Sequence, residues 1–88
     1  MEVTVKRMAM NDIEKLPNDL KNFVLEILFR QIPVSYNIND SHGIDKLKGF
    51  KDLYRIRIRN YRIGIKINDS KMTIIRVLHR REIYKYFS

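Results

Sequence analysis

The sequence predicts an α+β domain in which an N-terminal strand and a helical hairpin pack on a mainly antiparallel β-sheet. Three observations carry that reading. Apolar residues recur at spacings of three and four between Leu20 and Leu28, the pattern switches to strict alternation from Tyr54 onward, and turn residues separate the alternating runs. Eighty-eight residues leave room for one hydrophobic core, so residues 1–88 are read as a single domain.

Taken in order, Glu2 to Arg7 holds the alternating pair Val3 and Val5, a short strand. Asn11 or Asp12 is expected to cap a helix through Leu16, because a side-chain oxygen can satisfy the free N–H groups of a first turn. Pro17 closes that helix and opens the next, with Asn18 or Asp19 as its expected cap. Leu20, Phe23, Val24, Ile27 and Leu28 then form one apolar stripe on a helix running to about Gln31. Pro33 to Phe50 has no clear period and contains Asn39, Asp40, Ser41 and Gly43, so it reads as an irregular connection.

Tyr54 to Ile58 and Tyr61 to Ile67 alternate, with only Arg59-Asn60 between them, which is a β-hairpin signal. Asn68 to Ser70 make the next turn, and Met72 to Leu78 supply a third, β-branched strand. Glu82 to Phe87 reads equally as a short C-terminal helix or a strand extension.

Composition narrows the function. No cysteine is present, which excludes disulfides and thiolate metal sites. No Asp, Glu and His cluster has ligand spacing, and no cofactor motif appears, so metal or cofactor chemistry is not expected. No apolar run approaches the roughly 20 residues that span a bilayer, nor does the N-terminus resemble a signal peptide. A cytoplasmic protein without a membrane partner is expected.

The net charge is +8 and lopsided. Residues 1–45 hold five Lys/Arg and seven Asp/Glu, whereas residues 46–88 hold thirteen and three, balances of −2 and +10. Such a field attracts phosphate backbones, anionic membranes or an acidic protein segment.

The hairpin concentrates this charge. A two-residue loop pairs Ile58 with Tyr61, Arg57 with Arg62, Ile56 with Ile63 and Arg55 with Gly64. Tyr54, Ile56, Ile58, Tyr61, Ile63 and Ile65 then share one face, and Arg55, Arg57, Arg62, Lys66 and the gap at Gly64 share the other. Like charges across an antiparallel pair repel, and nothing acidic on these two strands offsets them. An arginine cluster on a rigid surface, with a glycine for close approach, points to a polyanion site. In the favoured register of the third strand, Arg76 and Arg80 join that face while Ile75 and Val77 face the core. The other register buries Arg76.

These residues carry a family resemblance. Lys46-Leu47-Lys48-Gly49, Leu53-Tyr54-Arg55-Ile56-Arg57, Asn60-Tyr61-Arg62-Ile63 and Val77-Leu78-His79-Arg80-Arg81-Glu82-Ile83-Tyr84 resemble, in order and spacing, the RelE/ParE superfamily of toxins. That family's pattern is roughly L-x-G, L-Y-R-L-R-x-G-D-Y-R-V and a terminal H-R-R-x-x-Y. The chain departs from it at Arg59, where glycine is frequent, and at Arg55 and Arg57, where some members carry lysine. Lysine gives up a proton far more readily than arginine does.

The resemblance implies a type II toxin–antitoxin toxin that cleaves messenger RNA on the ribosome and is silenced by a RelB-like antitoxin. The gyrase-poisoning branch shares the fold, and a plain basic nucleic-acid-binding domain is the third reading. Metal-free RNA cleavage needs a base for the 2′-OH, charge stabilisation at the phosphorane and an acid for the leaving oxygen. Arg62 and then Arg80 are expected to stabilise charge. Arg55, Arg57, Lys48 and Arg76 are expected to contact RNA. His79, Tyr84 and Tyr86 are the candidates for proton transfer, although in the favoured register His79 points toward the core face. Tyr86 has the spacing of the RelE branch, while Tyr84 closes the H-R-R-x-x-Y motif.

Overall fold

The computed structural model describes residues 2–31 and 44–87. Strand β1 (Glu2–Val5) leads directly into helix α1 (Arg7–Glu14), because the Lys6 carbonyl already accepts the Met10 N–H at 3.0 Å. Asn11 and Asp12 therefore lie inside α1 rather than capping it. Helix α2 (Asn18–Glu26) continues through a π-helical turn, Ile27–Gln31, which bears out the expected length. Pro17, not Asn18 or Asp19, occupies its N-cap position, and its carbonyl accepts the Lys21 N–H at 2.8 Å. Proline loses nothing there, since it has no N–H to satisfy.

Strands β2 (Ile44–Lys46), β3 (Leu53–Ile58), β4 (Tyr61–Asn68) and β5 (Lys71–His79) precede helix α3 (Arg80–Phe87). The five strands form one sheet in the order β1-β5-β4-β3-β2, with β1 parallel to β5 and every other pair antiparallel. One expectation needs correction. The connection expected to be irregular from Pro33 to Phe50 contains β2; its part through residue 43 lies outside the described residues. Of the two readings for Glu82 to Phe87, the structure forms the helix.

The hairpin pairs as its two-residue loop requires: Ile58 with Tyr61, Arg57 with Arg62, Ile56 with Ile63, Arg55 with Gly64. Arg59 holds a left-handed φ of 54° in that turn, a conformation that gives the turn the twist of its flanking strands. Ile56, Ile58, Ile63 and Ile65 are buried on one face against Leu20, Val24 and Leu28 of the second helix and Ala9 and Ile13 of the first. Each such isoleucine contributes about 1.5–3 kcal/mol by leaving water.

A bulge corrects the register expected for β5. Gly64 pairs with Arg76, but Ile65 pairs with Ile74, so Ile75 is the extra residue. One inserted residue reverses the alternation. Ile74 and Val77 therefore both reach the core, at 0% and 2% exposure, and Ile75 does not. Phe23, expected in the buried stripe, is 44% exposed with the Arg59 guanidinium 5.7 Å from its ring centre. No helix among the described residues is long and apolar enough to cross a membrane.

Candidate functional site

The sheet face turned away from α1 and α2 carries Arg55, Arg57 and Arg62 on adjacent strands, with Gly64 directly across from Arg55. Arg57 and Arg62 stand opposite one another, where side chains begin about 5 Å apart and like charges repel. Arg62 folds back along its own strand, its Nη1 donating to the Arg59 and Tyr61 carbonyls at 2.9 Å each. Those bonds hold the guanidinium beside the turn. The Nε–H groups of Arg55 and Arg62 are buried and make no hydrogen bond among the described residues. An unpaired buried donor costs about 1–3 kcal/mol, more on a charged group. Turning either side chain outward onto a phosphate gives its Nε–H an acceptor.

The expectation that the basic strands stand without acidic relief holds only for β3 and β4 themselves. Asp45, on β2, lies across from Arg55 and places its Oδ2 3.1 Å from Arg57 Nε and 3.5 Å from Arg55 Nη2. Asp52, just before β3, sits 3.9 Å from Lys66 Nζ. Two carboxylates thus face four cations, and the face keeps a positive excess.

Arg76 is another correction. Register sets it opposite Gly64, but its guanidinium grips Asp12 of α1, Nε to Oδ2 at 2.8 Å and Nη2 to Oδ1 at 3.1 Å. The same carboxylate accepts the Val77 N–H at 3.0 Å. With 14% and 9% of the two side chains exposed, this pair joins α1 to β5 past the end of β1. A guanidinium bound in both directions to a buried carboxylate is structural, not an open RNA contact.

Arg80 starts α3, and its N–H donates to the Asn60 carbonyl at 2.7 Å, so α3 begins against the turn that also holds Arg62. The Arg80 side chain is exposed. His79 pairs across from Tyr61, meets its ring edge-on at 5.6 Å and 76°, and accepts the Arg81 N–H on Nδ1 at 3.2 Å. It therefore faces the helices, as expected, and caps α3 instead of joining the arginines. A cavity of about 150 Å³ on that side is lined in part by His79, Tyr61, Lys15 and Glu82. Tyr84 and Tyr86 lie on α3, but their side chains fall outside the described residues. Lys48 is exposed in the β2–β3 turn, beyond the end of β3 distant from Arg59.

Sequence reasoning missed Asp45, Asp52 and the role of Asp12. For Asp12 a signal existed: it interrupts the stripe Ala9, Ile13, Leu16 on one helical face, and a carboxylate there demands a partner. The three-residue β2 offered none. Among the described residues no group of three His, Asp or Glu is placed to hold a metal ion.

Fold and site define a class: a small domain with α1 and α2 on one face of its sheet and arginines on the other. The family model described as "ParE toxin of type II toxin-antitoxin system, parDE" matches residues 3–84. Toxin RelE3 of Methanocaldococcus jannaschii is 35% identical over 88 residues, covering 99% of each chain. Among solved structures, the RelB–RelE antitoxin–toxin complex from Methanococcus jannaschii superposes with a TM-score of 0.79 at 32% identity, over 97% of this chain and 99% of that one. The isolated E. coli RelE toxin shares the fold at TM-score 0.69 and 21% identity, over 97% and 92%. The chain belongs to the RelE/ParE superfamily of type II toxin–antitoxin toxins.

Proposed function

We propose that this toxin is a metal-independent endoribonuclease that cleaves messenger RNA on the ribosome, in the cytoplasm. The observation that carries the reading is the convergence of Arg55, Arg57 and Arg62 around Gly64 on one rigid face, with Arg80 tied to the same turn. In the reaction the ribose 2′-oxygen bonds to the adjacent phosphorus and the bond from phosphorus to the 5′-oxygen breaks. A base takes the hydroxyl proton and an acid supplies one to the leaving oxygen. Arg62 and Arg80 stabilise the phosphorane, since a guanidinium stays charged and its fork matches two phosphate oxygens. Arg55 and Arg57 bind flanking phosphates, and Lys48 meets RNA at the far end of β3. Because His79 is engaged as a cap, proton transfer falls to α3, with Tyr84 and Tyr86 as the candidates.

The partner in this reading is a RelB-like antitoxin, supported by the relative solved as a RelB–RelE complex. Its acidic segment would fold as it covers the basic face.

Primer extension on a translated message, with purified toxin and its Arg62→Ala variant, tests the reading. Cuts inside codons by the parent protein, lost in the variant, are expected. An intact message together with relaxed or broken DNA would overturn it in favour of gyrase inhibition.

A further inference from the structure

Asp45 stands where a phosphate would. It lies on an edge strand, directly across from Arg55, and its Oδ2 lies within reach of both Arg55 Nη2 and Arg57 Nε. The β-ladder fixes its backbone, so the carboxylate does not have to be recruited from a flexible loop. A carboxylate and a phosphate oxygen present the same acceptor to the same guanidinium N–H groups. The side chain remains 39% exposed, so the contact is reached by water and can be displaced.

We propose that Asp45 is a built-in competitor for the polyanion: it occupies Arg55 and Arg57 in the free toxin and is displaced when a phosphodiester strand docks. This rests on the reading of the basic face as the RNA seat. Two ends are served. The carboxylate relieves the repulsion between neighbouring arginines in the free protein, and it sets a threshold for entry. A single phosphate must compete with a tethered anion for two arginines. An RNA strand meets Arg62 and Arg80 at the same time, and those extra contacts let it prevail. The device thus selects an extended polyanion over small cellular anions.

The test separates this inference from the reading beneath it. Arg55 and Arg57 Nε–H signals are followed by NMR while inorganic phosphate is added to the parent, to Asp45→Asn and to Glu26→Gln. The last carries the same charge change on α2, where Glu26 pairs with the exposed Arg30. Circular dichroism checks that each is folded. Asp45→Asn is expected to bind phosphate about three- to tenfold more tightly than the parent, the range that loss of two partly exposed ion pairs implies. Glu26→Gln should stay within twofold of the parent.

Replacing Arg57 by alanine as well should remove most of the gain. Equal affinities for the two charge-neutralised variants would overturn the proposal, because long-range charge alone would then explain them. Weaker binding by Asp45→Asn would overturn it too, making Asp45 a brace that holds the arginines. The same three proteins are then titrated with a short single-stranded RNA. A gain for phosphate with no RNA binding by any of them supports the competitor and sinks the RNA seat instead.

Discussion

Replacing Asp12 by alanine removes the acceptor of three hydrogen bonds at once: two from Arg76 and one from the Val77 backbone. Its neighbours cannot repair the loss by moving into water, since Asp12 is 9% and the Arg76 side chain 14% exposed. Breaking one side of a buried ion pair costs about 3–5 kcal/mol, because the remaining charge loses that carboxylate while still desolvated. The Val77 N–H adds an unpaired donor, and the residual exposure of Arg76 offsets part of the whole. The expected loss is about 3 kcal/mol, a large share of the 5–15 kcal/mol typical of a domain. For a chain of this size it lowers Tm by roughly 12–24 °C.

Urea denaturation of the parent, Asp12→Ala, and Asp12→Ala combined with Arg76→Met measures it. The double variant should regain a good part of the loss, because it removes the desolvated guanidinium along with the carboxylate that faced it. A loss below about 1 kcal/mol for Asp12→Ala, or no recovery in the double variant, would refute the assignment of this pair as the clamp between α1 and β5.

Other outcomes follow from the same geometry. Arg62→Ala should abolish growth inhibition in cells while its urea midpoint stays near the parent's, since the side chain leaves the basic face and bonds only to its own turn; unchanged toxicity in a well-expressed variant would remove Arg62 from the site. RNA affinity should fall with salt at a log–log slope of roughly −3 for four phosphates met by Arg55, Arg57, Arg62 and Arg80; a flat response in fluorescence anisotropy would mean another surface makes the contact. Gly49→Ala should cost about 1–2 kcal/mol in thermal unfolding through the backbone alone, because φ is +82° with open space around the new methyl.

Much of this architecture was written in two patterns. The alternation of Tyr54 to Ile58 and Tyr61 to Ile67, separated by two residues, set the hairpin register, and with it which arginines share a face. The spacing of Leu20, Val24 and Leu28 set the buried side of α2. What escaped was whatever depends on distant parts of the chain. A bulge at Ile75 shifts the register of β5 against β4, and no local period announces it. Asp45 acts on Arg55 through a strand of three residues, too short to show alternation. Arg76 looked like one more cation on a basic face because its counterion lies on α1, near the other end of the sequence.

The position of β1 reaches beyond the folded state. It pairs with β5, Glu2 beside Lys71 and Val5 beside Ile74, so β1 finds its partner only when β5 is present. Local hairpins can form early, but this edge of the sheet closes only once β5 is in place, and joining segments so far apart slows folding. Until then α1 has no β5 on which to set Asp12. The packing of α1 is thereby tied to the placement of a strand far along the sequence. Completion of the core is set by topology, because the two strands that close this side of the sheet lie far apart in sequence.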